Sequence, residues 1–383
     1  MEKNHNTMRQ LDFVFALNGI PIMGSGGTRI LNSLITELKN LSYSVGVLIV
    51  KRDPWLKFLE RNKSIPRSKT LLSFLKLNDT RFGYHFLNPI MKKMMRSPND
   101  GRLNPDVFLF SKTQLSSFSI KYLIATNFVN GSEILGIETK AIKILFSQID
   151  ETDANYAGSY VNIAREVYSK FNFRLFLNEE MLKKFPNSLK TFVGIDHSIF
   201  RVITHIEERD PKKIIFILRP GKQKDPDTAI KSMHKIRSLD ENIEISAYGT
   251  LDPNLVPNFV KYHYKPTNYD ICRLLNSSSI FILTSTVEGM PLPPLEAMAC
   301  GCAVISTECI GIREYIKSGT NGLLIPVGEP GEIANEVISL IQSIETRVIL
   351  AKNGEITARE YNYKSMARNF AKTIKIFEEL LGT

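Results

Sequence analysis

No apolar run in the chain approaches the roughly 20 residues a helix needs to cross a bilayer. The opening stretch, Met1 to Gln10, is polar and carries no signal-peptide core. These two absences lead us to expect a protein that neither spans a membrane nor is secreted. Cysteine is scarce, and the four present, Cys272, Cys300, Cys302 and Cys309, all fall in the second half. Cys300 and Cys302 stand one residue apart, a spacing that suits neither a disulfide framework nor a standard zinc site. We expect reduced, buried thiols in a cytoplasmic protein, with peripheral contact at the inner face of the membrane as a further option. Neither an internal repeat nor a low-complexity tract is visible.

Charge is unevenly placed. Residues 1–200 hold 27 Lys and Arg against 17 Asp and Glu, a net of +10, whereas the remainder holds 22 of each and is neutral. Within the first part, residues 51–100 carry 12 basic and 4 acidic residues. Trp55, Phe58, Leu59, Leu71, Leu72, Phe74 and Leu75 are interleaved with them. Basic residues among large apolar ones suit a surface that rests on anionic lipid; a solvated basic helical face fits equally well. Nucleic acid is not expected as a partner, because no recognition module accompanies the charge.

At 383 residues the chain exceeds one ordinary core and suits two α/β domains. Strand-like runs alternate with amphipathic segments throughout, the pattern of a parallel sheet covered by helices. One series contains LDFVFAL (11–17), SVGVLIV (44–50), VFLFS (107–111), YLIAT (122–126), AIKILFS (141–147) and FRLFLN (173–178). A second contains KIIFIL (213–218), EISAYG (244–249), SIFILTS (279–285), CAVIST (302–307) and GLLIPV (322–327). The charged stretch 200–212 separates them. The expected division is 1–200, 201–360, and a final helix over 361–383, whose apolar residues recur at three- and four-residue steps.

The strongest chemical signal is STVEGMPLPPLEAMACGCAVIST (285–307). Glu288 opens a loop after a strand, and Glu296 follows about a turn into the next helix. Between them, backbone N–H groups gather at a helix N-terminus, where the macrodipole favours an anion such as a nucleotide diphosphate. The flanking carboxylates suit the hydroxyls of a sugar and a ribose.

This segment resembles the Glu-x7-Glu motif of glycosyltransferase family 4, retaining enzymes of the GT-B fold. The match runs through Glu288, Gly289, Leu292, Pro293, Leu295, Glu296, Ala297, Met298, Ala299, Gly301, Val304 and Ile305. It continues through Glu314, Gly319, Asn321 and Gly322. The resemblance implies two Rossmann-like domains facing across a cleft, with the last helix packing back on the N-terminal one. It implies that a nucleoside-diphosphate sugar is a substrate and that no cofactor or metal is needed. Glu288 then contacts the donor sugar and Glu296 the ribose, with Gly289, Met290, Pro291 and Leu292 lining the donor. Pro291 departs from the family's usual glycine and removes a backbone donor. Bacterial rhamnosyltransferases of surface-glycan assembly are similar in having a proline-rich loop here.

Other elements follow from the same resemblance. Arg219 and Lys224, in ILRPGKQKDPDTAI (217–230), match the pair of cations that face the leaving diphosphate, with Lys222 as a rival for the lysine role. Fixed positive charge is what a leaving diphosphate needs. Asp225, beside a helix start, reads as a cap. Gly26 and Gly27 match the family's double-glycine loop near donor and acceptor, though a glycine loop alone is weak evidence. Gln148 stands where many members carry a cleft-facing His. Asp150 and Glu151 either face substrate or cap the loop. Gly194, Asp196 and Phe200 resemble an interdomain hinge, and His197 reads as structural. The function expected is retaining transfer of a sugar to a glycan, lipid-linked or other hydroxyl acceptor in cell-surface glycan assembly. A nucleotide-sugar epimerase of similar fold and a catalytically silent subunit are the alternatives.

Overall fold

The computed structural model of the chain describes residues 8–18, 26–50, 105–109, 112–153 and 158–382. The basic segment 51–100 lies outside the described residues. The chain forms two compact units. The first runs to Phe176, takes in Met181–Thr191, and resumes from Ala367; the second comprises Leu177–Glu180 and Phe192–Met366.

In the first unit the elements are β1 (Arg9–Leu17), α1 (Gly26–Asn40), β2 (Val45–Ile49), β3 (Val107–Leu109), β4 (Phe118–Ala125) and α2 (Phe128–Leu135). They continue with β5 (Ile142–Phe146), α3 (Val161–Lys170), β6 (Phe173–Phe176), α4 (Glu179–Lys184) and β7 (Ser188–Lys190). The sheet order is β3-β2-β1-β4-β5-β6-β7, every pairing parallel. One face of the sheet, through Val14, Ala16, Leu123, Ala125 and Leu145, packs on Ile134 of α2 and on Val167 and Tyr168 of α3.

The second unit contains β8 (Lys213–Leu218), α5 (Pro226–Leu239), β9 (Glu244–Gly249), β10 (Lys261–Tyr264), α6 (Asn268–Asn276) and β11 (Ile280–Leu283). Then come α7 (Leu292–Ala299), β12 (Ala303–Thr307), β13 (Leu323–Ile325), α8 (Pro330–Gln342) and α9 (Ile344–Glu360); α10 (Tyr363–Leu381) begins in this unit and belongs to the first from Ala367. Its six parallel strands follow the order β10-β9-β8-β11-β12-β13. Ile214, Phe216, Leu218, Ile280, Ile282 and Ile305 face Ala229, Met233 and Ile236 of α5 and Ile333, Val337 and Leu340 of α8.

Both sheets are doubly wound. β2, β11 and β12 are buried along their whole length, which is why β2 and β11 read as runs without a polar side chain and β12 breaks only at Ser306 and Thr307. β7 and β10, which carry no such run, were not legible in the sequence. They are edge strands with no buried residue, and SLK and KYHY have little apolar surface to bury. In each sheet the strand order reverses beside the first strand, between β1 and β4 and between β8 and β11. Ligands of such sheets settle outside the carboxyl ends of the strands at that reversal.

The last helix ends within the first unit, where Phe370 lies 6.2 Å from Phe13, 6.0 Å from Phe15 and 5.2 Å from Phe146, centroid to centroid. Glu378 of the same helix meets Lys121 at 2.6 Å and the Tyr122 hydroxyl. No helix among the described residues is long and apolar enough to cross a membrane.

Candidate functional site

At the reversal in the second sheet, two strand-end loops supply the residues singled out by their spacing. β8 ends at Leu218 and hands over to Arg219. Lys224 closes a short 3-10 turn, and Asp225, in the left-handed region at φ 45°, caps α5 by accepting from the Thr228 N–H at 3.2 Å. β11 ends at Leu283 and leads through Glu288 to α7. The two loops are sewn together: Thr286 N–H donates to the Gln223 carbonyl at 2.9 Å, and Thr284 Oγ1 to the Asp225 carbonyl at 3.0 Å.

Three donors converge on one oxygen. Glu288 Oε1 lies 3.0 Å from Arg219 Nη2, 2.7 Å from Lys224 Nζ and 2.9 Å from Ser285 Oγ. The Glu288 side chain is 10% exposed, so these charge-assisted contacts are largely shielded from water. The two cations are more open, at 29% and 24%. Lys222 is exposed; Lys224 is the lysine that meets the carboxylate.

Behind Glu288 the loop backbone is held from one side. Its carbonyl accepts from Gly311 N–H at 3.2 Å, the Gly289 carbonyl from Asn178 Nδ2 at 3.1 Å, and the Pro291 carbonyl from the Tyr315 hydroxyl at 2.6 Å. With no cis peptide among the described residues, trans geometry turns the N–H groups of Gly289, Met290 and Leu292 away from those carbonyls. No hydrogen bond among the described residues engages those three N–H groups. They sit at the amino end of α7, whose eight residues are all buried, Glu296 included at 2% exposure. Pro291 has φ −70° and stands as the residue before the helix, so it adds no fourth donor. The arrangement offers fixed N–H dipoles and two cations to an anion, a role the Glu288 carboxylate fills in this structure.

Asn178, Gly311 and Tyr315 hold this loop but carry no motif signal of their own. Gly311 is the most explicable: a Cβ there would stand 2.0 Å from the Gly289 carbonyl oxygen, so the contact requires glycine.

In the first unit, Gly26 and Gly27 open α1, and a Cβ on Gly27 would lie 3.2 Å from Gln148 Oε1. Two features picked out separately along the chain therefore meet at the strand ends. Beside them Asn18 Nδ2 donates to Asn127 Oδ1 at 3.1 Å, and Asn127 caps α2 in a reciprocal box with Asn130. These asparagines were not singled out in the sequence, where a cap and a site residue look alike. The acids after Gln148 cap the loop and do not face outward. Asp150 Oδ1 accepts from Thr152 N at 2.9 Å and its Oδ2 pairs with Lys184. Glu151, 7% exposed, accepts from Phe128 N at 2.8 Å. Burial pushes the Glu151 carboxyl up to about 7, against the opposing pull of the Phe128 N–H and the Tyr168 hydroxyl.

The remaining residues are structural in position. His197 Nε2 contacts the Ala358 carbonyl at 3.0 Å, and Asp196 caps its own turn through Ser198 N at 2.9 Å. Gly194 presses on the backbone of Asn362, and Phe200 is buried. All four cysteines are free and buried.

Residues 203–357 match the family model described as glycosyl transferases group 1. The match covers less than half of the chain. Among curated relatives, a stretch of 133 residues is 33% identical to an enzyme of Campylobacter jejuni. That enzyme is the N,N'-diacetylbacillosaminyl-diphospho-undecaprenol alpha-1,3-N-acetylgalactosaminyltransferase; the match covers 35% of this chain and 34% of the relative. The amylovoran biosynthesis glycosyltransferase AmsK of Erwinia amylovora is 28% identical over 48% of this chain and 50% of its own length. The chain thus spans half the length or less of these relatives. Among solved structures, Anabaena HepE in complex with UDP and glucose matches with a TM-score of 0.67 at 13% identity, over 96% of this chain and all of that one. That likeness shows the fold, two parallel-sheet α/β domains of the GT-B type. Arg219, Lys224, Glu288 and Glu296 all fall inside the matched residues.

Proposed function

We propose that the chain is a retaining glycosyltransferase of family 4 type, moving a sugar from a nucleoside diphosphate to a glycan or lipid-linked hydroxyl acceptor. The observation that carries the reading is the convergence of Arg219, Lys224 and Ser285 on Glu288, beside three N–H groups that no hydrogen bond among the described residues engages. A donor diphosphate placed there takes over both cations and the N–H groups of Gly289, Met290 and Leu292. Glu288, released, turns its carboxylate to the sugar hydroxyls, and Glu296 serves the ribose. Gly26, Gly27 and Gln148 keep the substrate-facing role that the family resemblance gives them.

The sugar–phosphate bond breaks as negative charge gathers on the departing diphosphate, where Arg219 and Lys224 stabilise it without a metal. The acceptor oxygen forms its bond on the face the diphosphate leaves, and its proton passes to a donor phosphate oxygen. No side chain is assigned as general base. The Campylobacter relative's lipid-diphosphate acceptor and AmsK's part in amylovoran biosynthesis support a place in glycan or glycoconjugate assembly. We place the protein in the cytoplasm at an anionic membrane face met by residues 51–100, which salt-sensitive capture by anionic vesicles tests.

The HepE complex makes UDP the first probe. Lys224→Ala should weaken UDP binding by about tenfold to a hundredfold while changing uridine binding little, because the lost partner is the diphosphate. Calorimetric titration reads both. Equal losses for the two ligands would remove the cation from its assigned role.

A further inference from the structure

Beneath the loop that presents Gln148 lies a chain of buried oxygens whose protons do not count out unless a carboxyl supplies one. Glu151 Oε2 is 3.0 Å from the Tyr168 hydroxyl, which is 2.6 Å from Ser147 Oγ, which in turn is 2.7 Å from the Ile149 carbonyl. Tyr168 is fully buried and Ser147 is 2% exposed, so water does not substitute for a missing donor. Each hydroxyl has one proton to give, and a carbonyl has none. The Ser147–Ile149 contact therefore uses the serine proton, and the Tyr168–Ser147 contact uses the tyrosine proton. What joins Glu151 to Tyr168 is then a proton on Glu151.

Ionising Glu151 reverses the chain. Tyr168 donates to the carboxylate, Ser147 donates to Tyr168, and the Ile149 carbonyl faces a bare oxygen lone pair where it had a donor. That carbonyl keeps only the Glu151 N–H, at 3.0 Å. The bond from Ser147 to Ile149 brackets Gln148 and closes the turn from which it projects toward Gly27.

We propose that Glu151 is a positioning residue for sugar transfer, setting the aim of Gln148 through the proton it passes along Tyr168 and Ser147. The proposal rests on the reading that Gln148 meets substrate. The charged groups around Glu151 pull both ways. The amino end of α2, through Phe128 N–H, favours the carboxylate, while Asp150 on its own loop opposes it and is itself paired with Lys184 of α4. From α3 come Tyr168 and Arg165, whose Nε reaches the Thr152 carbonyl at 3.3 Å. Burial outweighs the rest and brings the exchange near neutral pH. Since the folded carboxyl holds its proton more tightly than an unfolded one, its contribution is full below the ordinary carboxylate range. It is lost as pH rises through about 7.

The test is the pH profile of kcat/KM for the full chain and for Glu151→Gln, which cannot titrate and whose oxygen, accepting from both Phe128 N–H and the Tyr168 hydroxyl as Oε2 does, holds the ionised arrangement at every pH. The wild type should lose activity above a single ionisation near 7, and the variant should show no such limb. The same limb in both overturns the proposal. Independently of turnover, carbon-13 NMR of the glutamate carboxyls in the wild-type chain reads the proton itself. One carboxyl titrating near 7, and shifted by Tyr168→Phe, supports the assignment; every glutamate titrating below about 5 overturns it. A wild type that holds that proton yet turns over no sugar nucleotide at any pH would fail the glycosyltransferase reading and would also overturn a positioning role in transfer.

Discussion

On the proposed reading, Glu288 stands in for the donor diphosphate. One carboxylate oxygen carries Arg219, Lys224 and Ser285, so a diphosphate must displace it before the cations are available. Glu288→Gln removes the competing charge and keeps the shape. UDP should bind the variant about tenfold more tightly, with sugar transfer reduced by about a hundredfold or more, because the hydroxyl contact is weakened. Weaker UDP binding, read by the same calorimetry, would contradict the exchange. At this scale the Glu-x7-Glu spacing was legible because it falls on one loop and one helix turn. Asn178, Gly311 and Tyr315 were not, because their roles are contacts with a backbone distant in sequence. Glu151 was half legible: an acid after a strand reads as either a cap or a site residue, and only its burial under Phe128 and Tyr168 decides for the cap.

Among the elements, the central strands declared themselves by unbroken apolar runs, and the helices by period. The edge strands β7 and β10 did not, since an edge needs little hydrophobic surface. α7 is the least regular helix from its sequence, with Pro293 and Pro294 in LPPLEAMA. It forms because proline is tolerated in a first turn, where the missing N–H has no partner to lose. α10 was legible as an amphipathic helix, but its apolar face does not say which sheet it covers. Phe370, 1% exposed among Phe13, Phe15 and Phe146, answers that for the part from Ala367 onward. Phe370→Ala should cost the first unit about 3–5 kcal/mol, through lost transfer energy and the cavity left behind. Urea unfolding followed by a probe in that unit measures it; a loss under about 1 kcal/mol would mean the helix is not part of that core.

Across the whole molecule, one winding order occurs twice, and in each sheet the reversal beside the first strand gathers the residues of interest. In the second unit these are Arg219, Lys224, Glu288 and Glu296; in the first, Gly26, Gly27 and Gln148 with Asn18 and Asn127. A parallel sheet was readable from the alternation of apolar runs and amphipathic segments. The excess positive charge lies in residues 1–200 and most densely in 51–100, outside the described residues, so the structure adds nothing to that part of the reading. The most direct measurement is a crystal structure of the chain with UDP bound. The account predicts the diphosphate within hydrogen-bond distance of Arg219, Lys224 and the N–H groups of Gly289, Met290 and Leu292, with Glu288 turned away from both cations. UDP bound elsewhere, with Glu288 still paired to Arg219 and Lys224, would contradict it.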